Sequence, residues 1–182
     1  LNIEGSCESM LAAFQSDGRV VVERDVGDRL AMNMNGGSVT VMGSAGKDAC
    51  AGMNDGIVVV RGQASSGAGS GMSGGTLVVM GSVGPNPGLG MKGGRVIIAG
   101  SCPPPGKGST MRSITDKEVI ELEEFLEPLG LSLEEDALVL VPDKESSMAS
   151  IKPKRWVSEG FEGIAISPSS SDRIPEYSIV DT

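Results

Sequence analysis

Histidine is missing from all 182 residues, which removes the commonest general base and the commonest metal ligand from the available chemistry. Cysteine is scarce: Cys7, Cys50 and Cys102 are odd in number and show no CxxC spacing, a poor disulfide framework and a poor zinc site. Aromatic residues make up only 3%, so a core must be built from Val, Ile, Leu and Met. Basic residues are outnumbered, 15 against 24 acidic, and the net charge of −9 argues against nucleic acid or an anionic membrane as partner. No signal peptide and no apolar run of membrane-spanning length is seen, so the expected location is cytoplasmic.

Against these absences stands a repeat. Met34-Asn35-Gly36-Gly37, Met53-Asn54-Asp55-Gly56, Met72-Ser73-Gly74-Gly75 and Met91-Lys92-Gly93-Gly94 recur at a constant step of nineteen residues. A fixed period of this length means a stack of like supersecondary units. With the last glycine of each phrase as reference, five coils align on Gly18, Gly37, Gly56, Gly75 and Gly94. Two positions later stand Val20, Val39, Val58, Leu77 and Val96, and four positions later Val22, Val41, Val60, Val79 and Ile98. Side chains alternate across a strand, so these two columns share a face and form the interior.

Between them lie Val21, Thr40, Val59, Val78 and Ile97, which should face outward. That column is too apolar for free exposure along a sheet. Val21, Val59, Val78 and Ile97 are therefore expected at an interface, covered by the C-terminal segment, by a partner subunit, or by both. Each coil then turns at a glycine (Gly43, Gly62, Gly81, Gly100), with Arg24 in the first. A second segment follows in which small residues recur as Ala31, Cys50, Gly69 and Gly88. Within this column Cys50 reads as a packed core thiol.

The expected fold class is mainly β, a short parallel β-helix of about five 19-residue coils with a C-terminal α/β segment on or beside it. Residues 1–17, with the apolar run Met10 to Phe14, are expected to cap one end, residues 18–108 to form the coils, and residues 109–182 to add a helix, a strand and an extended tail. Prolines 103–105 end the repeat, because they cannot donate into a ladder. Thr115-x-x-Glu118 is a capping box. Val119, Leu122 and Leu126 follow at helical spacing, and Pro128 and Gly130 mark the end. The helix is read as docking on the outer apolar face, with partner binding as the sharper alternative. Ala137 to Val141 reads as a strand, Trp156 and Phe161 supply large anchors, and Pro168 to Asp172 is rich in turn residues.

Several catalytic patterns fail on inspection. Gly71-Met72-Ser73-Gly74-Gly75 matches G-x-S-x-G, but Ser73 shares its slot with Asn35, Asn54 and Lys92, and without histidine no Ser-His-Asp triad exists. Gly100 to Gly108 is a linker and not a phosphate loop: Gly108 follows Lys107 where Ser or Thr is required, and three prolines remove donors. Asp28, Asp48 and Asp55 do not share a column, which excludes calcium-binding coils. The coil strands offer too few carboxylates for a glycosidase pair. Catalytic, cofactor-binding and metal-ligating residues are read as none.

The phrase and its turns, Gly43-x-x-Gly46-Lys47-Asp48-x-x-x-Gly52-Met53-Asn54-x-Gly56 and Gly81-x-x-Gly84-x-x-x-Gly88-x-Gly90-Met91-Lys92-Gly93-Gly94, resemble the GXGXG repeat family. That family includes the C-terminal domain of the glutamate synthase large subunit, the scaffold subunit of formylmethanofuran dehydrogenase, and stand-alone archaeal relatives. The resemblance covers residues 18–108, with two departures: Asp55 in place of a phrase glycine and Ser65 in place of a turn glycine. It implies a right-handed parallel β-helix that serves as a structural subunit of an oxidoreductase complex and carries no catalytic residue or cofactor of its own. The partners it implies are glutaminase-like and flavin-dependent synthase-like proteins. The alternatives are the scaffold of a formylmethanofuran dehydrogenase-like complex, or a free-standing protein that binds or transforms a small molecule beneath residues 109–182. A homo-oligomer is compatible with each.

Overall fold

The computed structural model describes residues 1–134 and 136–143. The expectations for Trp156, Phe161 and residues 168–172 lie outside these. Strands β1 (Asn2–Ile3), β2 (Arg19–Val22), β3 (Asn35–Val41), β4 (Asp55–Val60), β5 (Ser73–Val79) and β6 (Gly93–Ile98) pair in parallel, each with the next. The register is the nineteen-residue step itself: Val20 pairs with Val39, Val39 with Val58, Val58 with Leu77 and Leu77 with Val96. This is a β-solenoid of about five turns. Its two interior columns pack with Leu30, Met34, Met53, Met72 and Met91 into one continuous core.

The opposite side of each coil is held by single parallel bridges, Cys7 to Val26, Val26 to Ala45, Ala45 to Ala64 and Ala64 to Val83. Between bridge and phrase, alternate residues take left-handed backbone: Arg29, Ala31 and Asn33 in one coil, Asp48, Cys50 and Gly52 in the next. The amides of these alternate residues reach opposite neighbours in turn. Arg29 and Asn33 donate to Lys47 and Ala51 of the following coil at 2.7 and 2.9 Å, whereas Ala31 donates to Leu11 of the preceding one at 2.8 Å. Saturating the backbone in both directions offsets the cost of about 1–2 kcal/mol that a non-glycine residue incurs there.

Residues 1–17 are not a separate cap. Asn2 and Ile3 pair with Val21 and Val22, and Cys7 with Val26, so this stretch is one more coil in the same register. Nor is 100–108 a free linker. Gly106 donates to Pro87 and Gly90 donates to Lys107, both at 2.7 Å, which folds the proline segment back over the last coil.

Beyond it come β7 (Ser109–Ser113), α1 (Asp116–Leu126), a 3₁₀ turn (Glu127–Leu129) and β8 (Leu138–Pro142). The helix begins at the expected box, with the Glu118 carboxylate accepting from the Thr115 N–H at 3.1 Å, and the chain leaves the 3₁₀ turn at Gly130. Strand β8 inserts antiparallel between β6 and β7, giving the order β1-β2-β3-β4-β5-β6-β8-β7. Among the described residues no helix is long and apolar enough to cross a membrane.

Candidate functional site

The surplus outward column decides where the C-terminal segment goes. Val59, Val78 and Ile97 are 2%, 0% and 0% exposed, packed beneath Leu122 and Leu126 of α1 and beside Val139 of β8, with Ile114 and Ala137 completing a second core. Three of the four residues expected at an interface therefore meet the chain's own helix and hairpin, not another chain. The fourth, Val21, is half-buried and lies outside that second core. The reason is geometric. Strand β8 pairs with β6, and the helix between β7 and β8 is thereby laid across the later coils, short of the early ones.

An ion cluster pins this layer. Arg112 of β7 grips Glu118 in a two-pronged contact at 2.7 and 2.8 Å, and the Thr115 hydroxyl bonds the same carboxylate at 2.8 Å. From the coil side, Arg95 donates to Thr76 at 3.1 Å, holds Glu121 at 2.8 Å and approaches Glu118 to 3.6 Å. The hydrogen bond from Arg112, aided by Thr115 and opposed by burial, holds the Glu118 carboxyl at about 2, well below its ordinary value. The depressed value means the stabilisation is fully present above the ordinary carboxylate range and is lost as pH falls toward about 2. Glu118→Gln is accordingly expected to cost ~1–3 kcal/mol in urea unfolding at neutral pH, with the gap to the parent chain closing as pH is lowered below 4. An equal gap at acidic pH would refute the role given to the charge. The spacing of Glu118 and Glu121, three apart on one helix face, was the signal for a basic partner; Arg95 and Arg112 were not identifiable from sequence because they come from two different strands.

The residues of the repeated phrase serve stacking. Asn54 donates to the Asn35 side chain at 2.9 Å, and the Ser73 hydroxyl bonds Asn54 in turn, a polar ladder along one edge of the solenoid. Ser73, the serine of the G-x-S-x-G match, thus faces an asparagine in the adjoining coil. The reference glycines at Gly37, Gly56, Gly75 and Gly94 all have positive φ, and the turn glycines Gly43, Gly62, Gly81 and Gly100 lie against the backbone of the preceding coil. Asp55 is accommodated at the phrase bulge, its carboxylate accepting from Gly56 N–H at 2.8 Å. Cys50 is buried, which pushes its thiol pKa up and leaves it protonated.

Among the described residues no cluster of three His, Cys, Asp or Glu side chains is arranged to hold a metal ion. Beneath the C-terminal segment runs an open groove of about 300 Å³, between Phe125, Pro128 and Leu129 on one side and Ser38, Thr40 and Ile57 on the other. It is the place where the helix stops covering the outer face.

These features define the class: a short parallel β-solenoid whose outer face is covered over its later coils by its own helix and antiparallel hairpin. Comparison with known proteins adds no particular relative, since no family model, curated protein or solved structure matches the chain.

Proposed function

We propose that this chain is a non-catalytic assembly subunit of the kind represented by the β-helix domain at the C-terminus of glutamate synthase. It works in the cytoplasm beside glutaminase-like and flavin-dependent synthase-like partners in an oxidoreductase complex. The observation that carries the reading is how the repeated phrase is used. Its asparagines and serine bond one another from coil to coil, and its glycines sit against neighbouring backbone. Residues that recur in every coil and are consumed in stacking it build a rigid scaffold. The acidic balance, −9 overall, keeps such a scaffold soluble and steers it toward partners with basic surfaces.

The purified chain alone is expected to show no turnover of glutamine with 2-oxoglutarate, and to restore or raise turnover when combined with the two partners. Turnover by the isolated chain would overturn the proposal. Affinity purification from the native source separates this complex from its nearest alternative. Flavin absorbance in the co-purified fraction supports it, whereas molybdenum or tungsten by metal analysis replaces it with a formylmethanofuran dehydrogenase-like scaffold.

A further inference from the structure

The solenoid's sheet does not end on a coil. Among the described residues it ends on β7, a five-residue edge strand, and the groups this edge presents are self-complementary. The bond from Ile114 N–H to Ala137 at 2.9 Å and that from Asp143 N–H to Gly108 at 3.1 Å fix which residues face β8. In an antiparallel ladder alternate residues bond inward, so Thr110 and Arg112 are spent on β8, while Ser109, Met111 and Ser113 turn their N–H and C=O groups outward. Two of these outward groups are already taken. Ser109 N–H donates to Gly106 at 3.2 Å, and the Ser113 carbonyl accepts from the Arg112 guanidinium at 3.0 Å. Among the described residues, what the edge has left is the Ser109 carbonyl, both groups of Met111, and the Ser113 N–H.

We infer that β7 pairs antiparallel with β7 of a second copy of this chain, about a two-fold axis through Met111. In that register Met111 of each copy exchanges both bonds with Met111 of the other, and Ser113 faces Ser109 of the second copy. The free Ser113 N–H then meets the free Ser109 carbonyl. The two groups that cannot take part, Ser109 N–H and the Ser113 carbonyl, fall opposite each other, so neither copy loses a bond the other offers. The side chains agree with this register. Met111, 42% exposed, meets its own counterpart, an apolar pair at the centre of the contact. Thr110 faces Arg112 of the second copy, so no like charges stand directly opposite. Arg112, which would otherwise guard the edge, is drawn back onto Glu118. The pairing continues the existing sheet across a closed two-fold contact, which limits assembly at this edge to a dimer.

The contact is small, and dissociation on the order of micromolar is expected. Sedimentation of the full chain should show a monomer–dimer equilibrium over concentrations from about 1 to 500 μM. Amide exchange at Met111 and Ser113 should slow by about tenfold or more as the dimer forms, with Thr110 and Arg112 slow throughout. Met111→Pro removes an outward N–H that β8 does not use, and Met111→Asp places like charges on the axis. Both should be monomeric while keeping the parent far-UV spectrum, and Ile120→Asp on the exposed side of α1 should dimerise as the parent does. A chain that stays monomeric throughout overturns the inference. So does a dimer in which Met111 and Ser113 exchange unchanged, a readout on the parent chain that holds even if the proline variant misfolds.

Discussion

Replacing Gly94 by alanine is expected to cost ~3 kcal/mol or more, seen as a fall of roughly 10 °C in the thermal midpoint. Two penalties combine there. The backbone sits at φ +76, where an added Cβ alone costs about 1–2 kcal/mol. That Cβ would also lie 2.7 to 2.8 Å from the Gly74 and Gly75 backbone of the preceding coil. Contacts so short force two paired strands apart, and the strain falls on a ladder that every coil shares. Gly130 is the control. It has φ +66 but open space around it, so Gly130→Ala should cost only ~1–2 kcal/mol. Urea unfolding of the two variants measures the difference, and equal costs would refute the claim that close stacking, rather than φ alone, demands glycine in this column.

Val78→Asp is expected to release the helix and leave the solenoid standing. Val78 is fully buried between β5 and α1, in a cluster separate from the interior core. A carboxylate there has no partner, and burying it unpaired costs at least ~3 kcal/mol, enough to undock a helix that contributes Leu122 and Leu126 to this cluster and is pinned by one ion cluster, while β8 stays paired with β6. Hydrogen exchange should show residues 116–126 losing protection, while the amides of Val39, Val41, Val58 and Val60 keep theirs. Uniform loss of protection would mean that the two cores fold as one unit and that the outer layer is not separable.

Much of the molecule was legible because the repeat is long-range information written in a local pattern. A column such as Val22, Val41, Val60, Val79 and Ile98 specifies register, since sliding any coil by one residue would put that coil's core residues outside. The capping box at Thr115 was legible because its partners are three residues apart. Residues 1–17 could have been recognised as a coil from Ile3 and Cys7, which sit nineteen before Val22 and Val26. The signal was obscured because the phrase there reads Gln15-Ser16-Asp17-Gly18, without its methionine and paired glycines.

Less legible was everything that joins distant segments without periodicity. The apolar excess of Val59, Val78 and Ile97 announced a cover, but apolar contact is non-directional and names no partner. Choosing the chain's own helix over another protein required β8 to insert antiparallel beside β6, a pairing that five aliphatic residues do not encode alone. The same insertion brought Arg112 onto Glu118 and left β7 as the last strand among the described residues. Sequence by itself determined the coil, its register and its glycine corners, because each is enforced by like residues stacking on like. Tertiary structure alone decided which surface was closed and which strand came last among the described residues, because that depends on where a non-repeating segment finds its bonds.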